Sequence, residues 1–226
     1  MNNFKIDLHI HTQASKDSDL SIDAIVKKLM ELDFNGMCIT DHDIFEKGCP
    51  IENYKYDNFL ILKGVEYSSA DGHLLLYGVG DDSFMQMGKY QPAQKIIDTV
   101  TELGGVAIPS HPYLDWWKLV DRKDGIPNPP KEDFNRVMQD KLKTLNGLVA
   151  IESLNAALTR LQPDANERAQ AVAKSIGLKE IGGSDAHKPF EIGCGGTLFE
   201  DTEISCMADL IFALKHTNYY PISEEK

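Results

Sequence analysis

Two histidines near the start of the chain have the spacing of a metal-binding pair. His9 and His11 stand in residues 5–12, KIDLHIHT, where aliphatic residues alternate with polar ones. This two-residue period predicts a strand. A strand places both imidazoles on one face, about 7 Å apart along the chain, where they can bind one metal ion. The alternative is an ordinary strand with solvated or hydrogen-bonded histidines, so the choice depends on whether the rest of the chain supplies further ligands.

Further candidate ligands stand next to other apolar segments. Six of the seven histidines lie at or beside the end of a predicted strand, whereas His216 lies in a predicted helix and receives no role. Imidazole and carboxylate together suit zinc, manganese or iron(II) better than calcium, which prefers oxygen ligands alone. Because the ligands are too many for one ion and a carboxylate can bridge two, we expect two or three divalent ions. The candidate metal ligands are His9, His11, Asp17, His42, Glu66, His73, His111, Asp185 and His187.

The elements that must position these ligands alternate between short apolar segments and helical patterns. The predicted strands after the first are residues 37–40, 59–65, 73–79, 106–108, 147–151, a short one near 180–181, and 195–199 as a final edge strand. The predicted helices follow Ser21 as a cap and then cover 92–103, 131–145, the segment from Pro163 to Gly177, and 204–216. Such alternation favours a parallel sheet, and six or seven units favour a barrel. The candidate ligands would then meet at the C-terminal ends of the strands, where barrel enzymes hold their active sites.

The composition is that of one α/β domain spanning residues 1–226. Hydrophobic residues make up 42% and charged residues 26% of the chain. No apolar run approaches about 18 residues and no signal-like leader is present, so we expect a cytoplasmic protein without a membrane span. The net charge of −12 argues against an extended nucleic-acid-binding face. A short phosphorylated ligand remains compatible, since bound cations can reverse the local field.

Five short motifs in order resemble the PHP family, named for polymerase and histidinol phosphatase. They are Asp7-Leu8-His9-Ile10-His11-Thr12, Thr40-Asp41-His42, Gly64-Val65-Glu66, Ser110-His111-Pro112 and Gly183-Ser184-Asp185-Ala186-His187. The resemblance implies a distorted seven-stranded (β/α) TIM-like barrel and a cluster of up to three metal ions. By position, it assigns His9, His11, Glu66 and Asp185 to the first ion, Glu66, His73 and His111 to the second, and Asp17, His42 and His187 to the third.

A few other residues are candidates for supporting roles. Glu152, after the sixth predicted strand, would orient a metal-bound histidine or pair with a neighbouring cation. Arg160 and Lys188 are the candidate cations for a substrate phosphate, with surface solvation as the alternative. Residues 113–130 lack a clear period and are expected to form a loop or lid over the site. The paired tryptophans at 116 and 117 in this segment would stack on a base or ring, or pack into the lid.

The expected chemistry is hydrolysis of a phosphoester. A divalent ion lowers the pKa of bound water to about 7, and two ions about 3.5–4 Å apart can clamp the attacking and leaving oxygens. We predict attack by a metal-bound hydroxide, with Glu66 and Asp185 as the central carboxylates. The resemblance implies a small phosphomonoester, a nucleotide or a short oligonucleotide as substrate; an exonuclease-like phosphodiesterase and a phosphotyrosine phosphatase are the alternatives. An amidohydrolase-like reaction at carbon and an inactive metal-binding scaffold are the competing classes, and the oligomeric state stays open.

Overall fold

The structure is a computed structural model that describes residues 3–44, 56–80, 88, 90–114, 139 and 141–223. Its strands are β1 (Phe4–Ile10), β2 (Gly36–Ile39), β3 (Leu60–Ser68), β4 (His73–Tyr77), β5 (Val106–Pro109), β6 (Ala150–Asn155), β7 (Lys179–Gly183), β8 (Gly195–Phe199) and β9 (Tyr219–Ser223). Its α-helices are α1 (Ile22–Glu31), α2 (Ala93–Glu102), α3 (Ala156–Leu161), α4 (Pro163–Ile176) and α5 (Met207–His216), and Leu142–Thr144 form a short 3-10 helix.

The strands build a curled sheet with β1 near its middle. The main sheet has the order β5-β4-β3-β2-β1-β8-β9, and β6 pairs with β7 in a second, two-stranded sheet. The segment after β7 continues beside β1, where Ile10 and Ala186 form a parallel bridge. The backbone N–H of Asp185 donates to the carbonyl of His9 at 2.7 Å. The two sheets therefore meet at the end of β1 that carries the paired histidines.

Helix boundaries follow the local sequence signals. The hydroxyl of Ser21 accepts a hydrogen bond from the backbone of Ala24 and caps α1, as predicted. Pro163 is the first residue of α4, where its missing N–H costs nothing. Gly177 ends α4 in the left-handed conformation at φ 70°. These three predictions are confirmed.

The prediction of an all-parallel sheet is wrong at β4. This strand runs antiparallel to both β3 and β5. The reason is local: residues 69–72 close a tight turn, in which Ser69 N–H donates to the carbonyl of Gly72 at 3.0 Å and Gly72 has φ 140°. A turn this short joins antiparallel neighbours, whereas parallel strands need a long crossover.

The prediction is also wrong at the end of the chain and before β6. Strand β8 is not an edge, because β9 pairs antiparallel with it on the side away from β1. Strand β6 begins at Ala150 rather than Gly147, which has φ 81° in the preceding turn. Glu152 therefore lies inside the strand, and the short helix α3, which the sequence reading missed, follows directly.

Some predictions cannot be compared with the structure. The predicted loop 113–130 and helix 131–145 lie largely outside the described residues, as do both tryptophans. Among the described residues, no helix combines the length and apolar character needed to cross a bilayer.

Candidate metal centre

All nine candidate ligands converge at one end of the curled sheet. His9 comes from β1 and Glu66 from β3, His11 directly follows β1, and all the others except His73 lie in segments after strands. His73 is the first residue of β4. Because β4 is antiparallel, its start lies at the same edge as the C-terminal ends of its neighbours. The antiparallel hairpin is thus what brings His73 to the cluster.

Four of these side chains have the spacing of ligands around one ion. His9 Nε2 and His11 Nε2 are 3.2 Å apart. Asp185 Oδ1 lies 3.3 and 3.2 Å from them, and Glu66 Oε2 lies 3.4 and 3.3 Å from them. A tetrahedron around an ion with bonds of about 2.0–2.1 Å has edges of about 3.3 Å. Two imidazole nitrogens and two carboxylate oxygens therefore surround a point at metal-ligand distance.

Glu66 connects this group to a second cluster of histidines. Its Oε2 also lies 3.0 Å from Nδ1 of His42. Its Oε1 lies 3.0 Å from Nδ1 of His73 and 2.8 Å from Nε2 of His111. The hydroxyl of Ser110 donates to the same Oε1 at 2.9 Å. One carboxylate thus faces imidazoles on two sides, which is the arrangement of a bridging ligand.

A third cluster lies toward the surface. Ligand atoms of His11, His42 and His187 come within 4.8 Å of one another. Asp17 Oδ2 lies 3.4 Å from Nε2 of His42 and 3.5 Å from Nε2 of His187. The side chain of Asp17 is 56% exposed, whereas Glu66 is fully buried. The outer end of the cluster is therefore open to solvent.

Burial and charge have opposite effects on the pKa values of His9, Glu66 and His42. Burial alone would lower the pKa of His9, but the carboxylates of Asp185, Glu152 and Glu66 raise it well above its usual value. Burial would raise the pKa of Glu66, but the neighbouring histidines hold it well below its usual range. The pKa of His42 rises to about 11 against the effect of burial, because it faces Glu66 and Asp17. The raised pKa values of His9 and His42 favour their protonated forms without metal, so metal binding must release those protons.

The cluster fits divalent metal ions in its donor set and in its unpaired atoms. Glu66 Oε2 and His111 Nδ1 are buried and make no hydrogen bond within the described part of the chain. Glu66 Oε2 is approached by ring nitrogens of three histidines at 3.0–3.4 Å, and burying its charge is costly unless protons on these rings or a metal ion compensate it. Mixed imidazole and carboxylate ligands suit zinc, manganese or iron(II). The described residues therefore fit the metal cluster that the sequence predicts.

Two buried side chains behind the ligands hold them in place. Glu152 Oε1 lies 2.8 Å from Nδ1 of His9, and its Oε2 accepts the backbone N–H of His111 at 2.7 Å. Asn155 Nδ2 donates to Asp185 Oδ2 at 3.0 Å and to Glu152 Oε2 at 3.3 Å. Sequence reasoning proposed Glu152 and missed Asn155, whose position at a strand-to-helix junction gives no signal of contact with a carboxylate that follows β7.

Of the two candidate substrate cations, Lys188 lies beside the outer end of the cluster. Its Nζ donates to the backbone carbonyl of Asp17 at 3.5 Å and lies 3.2 Å from Asp19 Oδ2, on the exposed loop before α1. The side chain of Arg160 lies outside the described part of the structure. A cavity of about 440 Å³ opens beside Asp17 and His42, and Lys16 also lines it. Lys16 is a cation that sequence reasoning missed, because nothing in its spacing sets it apart from other surface lysines.

Comparison with protein families identifies two matching segments. The model of the PHP domain family matches residues 7–79, and a model described as PHP-associated matches residues 163–218. The first segment contains the paired histidines and Glu66, and the second contains Asp185 and His187. No curated protein matches the chain in sequence.

Several solved structures share the fold. PsfC from Pseudomonas syringae is 17% identical with a TM-score of 0.68, and the match covers 99% of this chain and 93% of that one. A two-domain protein from Bacteroides vulgatus, described as containing a predicted PHP-like metal-dependent phosphoesterase, is 18% identical with a TM-score of 0.61 over 88% of this chain and 58% of that one. The lesion-specific endonuclease PfuEndoQ from Pyrococcus furiosus is 18% identical with a TM-score of 0.63 over 95% of this chain and 56% of that one.

These likenesses confirm the predicted fold class, an α/β fold of the distorted TIM-like barrel type. The chain spans little more than half the length of the Bacteroides and Pyrococcus proteins. What those longer proteins do as a whole therefore does not follow for this chain from the shared fold alone.

Proposed function

We propose that this chain is a member of the PHP family and a metal-dependent phosphoesterase acting on a small phosphomonoester, a nucleotide or a short oligonucleotide. One observation carries the proposal. Nε2 of His9 and Nε2 of His11 stand 3.2 Å apart, and each stands 3.2–3.4 Å from a carboxylate oxygen of Glu66 and of Asp185, the spacing of ligands around a single divalent ion.

The ligands divide among the ions as follows in this proposal. His9, His11, Glu66 and Asp185 would hold the first ion, and Glu66 would extend to a second with His73 and His111. His42 and His187 would hold a third with Asp17. When bound, the ions supply the activation of water and the neutralisation of phosphate charge. Zinc, manganese and iron(II) all suit this donor set.

The residues of the chain would orient the ligands, admit the substrate and accept the protons released. Glu152 and Asn155 fix His9 and Asp185 from behind, so the ligand atoms are already placed before a metal binds. Asp17 and His42 of the outer cluster line the cavity, so a phosphate entering there would meet these ligands first.

The size and charge of the site favour a compact substrate. A cavity of about 440 Å³ lies at the small end of the range for small-molecule sites, about 300–1,000 Å³. The net charge of −12 disfavours a long polyanion away from the metal ions. A phosphomonoester or a short nucleotide satisfies both conditions better than an extended nucleic acid.

The proposal is tested with purified protein loaded separately with zinc, manganese or iron(II). The panel contains p-nitrophenyl phosphate, nucleoside monophosphates, a phosphodiester, short oligonucleotides and a phosphotyrosine peptide. We expect turnover that requires metal and falls at least about 100-fold in Asp185→Asn, which weakens a ligand without changing its size. Glu102→Gln, on the exposed end of α2, serves as the matched control and should retain full activity.

Each possible result bears on a different claim. Absence of metal-dependent turnover on every phosphoester would overturn the proposal. Turnover on amides or lactones alone would favour the amidohydrolase-like reaction. Stoichiometric metal binding without any turnover would favour the scaffold.

A further inference from the structure

The hydroxyl of Ser15 lies where three segments of the candidate metal centre meet. It donates to Asp41 Oδ1 at 2.8 Å and accepts the backbone N–H of His42 at 3.1 Å. Nδ1 of His11 lies 3.2 Å from the same oxygen. Ser15 is only 1% exposed, so no solvent competes for these bonds. It also belongs to the short loop that carries Asp17.

The hydrogen bonds that the Ser15 oxygen makes determine which ring nitrogen of His11 carries the proton. A serine hydroxyl has one proton to donate and two lone pairs that accept. The proton goes to the carboxylate of Asp41, and the amide of His42 uses one lone pair. The remaining lone pair requires a donor from His11, so Nδ1 must carry the proton. The lone pair of Nε2 is then free on the side that faces Glu66 and Asp185.

Asp41 is held as an acceptor by its own surroundings. Its carboxylate is buried at 3% exposure and accepts three hydrogen bonds, from the backbone and hydroxyl of Thr12 at 2.7 Å each and from Ser15. Every described hydrogen bond to this carboxylate is one that it accepts, and the bond with Ser15 follows the same direction. The direction of the chain of hydrogen bonds is therefore set from Asp41 outward: Asp41 accepts from Ser15, and Ser15 accepts from His11.

We propose that Ser15 and Asp41 are positioning residues that lock the ring of His11 in its Nε2-binding form and tie that ring to the backbone of His42. This inference rests on the proposed metal centre and extends it, because it makes one hydroxyl responsible for aligning ligands of two different ions. Carboxylates and carbonyls behind metal-bound histidines commonly act in this way, with losses of about 10–100-fold in affinity when removed. Here a serine transmits the effect of the carboxylate.

The test uses zinc as the probe, because it is diamagnetic and suits the donor set. Long-range ¹H–¹⁵N spectra of the zinc-loaded protein, assigned with His11→Asn, should show His11 protonated at Nδ1 and coordinated at Nε2. Ser15→Ala should lose the slowly exchanging Nδ1 proton and weaken zinc binding about 10–100-fold in chelator competition. Asp41→Asn should weaken it too, and the double variant should lose much less than the product of the two single losses.

Ser18→Ala is the matched control on the same loop. Its hydroxyl is buried and bonds to the backbone carbonyls of His11 and His187, but it does not touch the ring of His11. We expect this variant to keep the Nδ1 proton of His11. Equal effects of both serine variants on that proton would mean that order in the loop, and not the Ser15 hydroxyl, positions the ring, and would overturn the inference.

The wild-type spectrum keeps the test decisive even if Ser15→Ala does not fold. His11 protonated at Nε2, or zinc affinity unchanged in a folded Ser15→Ala, would overturn the role of Ser15 while leaving the metal centre intact. Failure of the wild-type protein to bind zinc would instead overturn the proposed function from which the inference starts.

Discussion

Replacing Glu152 by glutamine should weaken metal binding although the two side chains have nearly the same shape. The Glu152 carboxylate is surrounded by donors: Nδ1 of His9 at 2.8 Å, the backbone N–H of His111 at 2.7 Å and the amide of Asn155 at 3.3 Å. Glutamine has one acceptor oxygen and one NH₂ group. In either orientation the NH₂ must face a group that also donates. At 1% exposure, water cannot enter to relieve the conflict.

The size of the effect follows from this conflict. A buried donor left unpaired costs about 1–3 kcal/mol. His9 could escape it by moving its proton to Nε2, but that nitrogen would then no longer bind metal. Both outcomes lower metal affinity, by about 10–100-fold or about 1.4–2.7 kcal/mol. The two ranges agree, so we expect a loss of that order and not a loss of the whole site.

The assay is a competition titration of zinc between the protein and a chromophoric chelator at fixed pH. Glu102→Gln makes the same chemical change on an exposed helix end and should leave the affinity unchanged. Thermal unfolding with excess chelator shows whether Glu152→Gln is folded. A folded Glu152→Gln whose zinc affinity stays within twofold of wild type would refute the argument that the donors around this carboxylate require it.

Three further predictions concern pH and packing. Without metal, the pKa of His42 is raised to about 11, so the folded chain holds a proton that the unfolded chain releases near pH 6.5. The melting temperature measured in chelator should therefore fall between pH 7 and 9, and it should fall less steeply in His42→Asn. A melting temperature that rises over this range would contradict the raised pKa. In Gly183→Ala the added Cβ would lie 2.4 Å from Cβ of His9, so we expect a loss of about 1–3 kcal/mol in unfolding free energy and weaker zinc binding. In the control Gly80→Ala, the added Cβ would have no heavy atom of the described residues within 4 Å, so neither quantity should change. Ser21→Ala should lower the unfolding free energy, measured by urea titration, by about 1 kcal/mol, because it removes the cap of α1. Zinc affinity should not change, since this cap lies away from the ligands. A change in zinc affinity would contradict this separation of the cap from the metal centre.

Sequence reasoning predicted candidate ligands that the structure brings together, because a metal site constrains residue type and position at once. The two-residue period around His9 and His11 has one structural meaning, and the aliphatic partners leave no other register for a buried strand. Glu66 and Asp185 follow from the same logic, since each stands at or just after a short apolar segment. The structure brings Asp185 within 3.3 Å of both histidines, which is the contact that the whole interpretation requires.

Strand direction was harder to predict because it depends on the connection and not on the strand. The segment from Ser69 to Gly72 ends in Asp-Gly, a turn signal that could have indicated an antiparallel hairpin. Strand β9 contains Pro221, which weakens any strand pattern, and its pairing with β8 is a tertiary effect. Local sequence patterns do not indicate which strands pair in this way.

Supporting residues behind the ligands leave the weakest trace in sequence. Asn155 is at once the cap of α3 and a donor to Asp185, and only the first role has a local signature. Ser15 likewise stands in a polar loop among other small residues. Such side chains are found only when the strands that carry their partners are placed in space.

The central position of β1 has a consequence for the order in which the molecule matures. His9 in β1 and His11 directly after it are among the first residues made, but Asp185 and the antiparallel partner β8 are made more than 170 positions later. Until then the two histidines belong to a strand with one side uncovered, and no ion can be fully enclosed. Contacts this distant in sequence form slowly, so the ions would bind last. They would stabilise a chain that is already nearly folded rather than nucleate its folding.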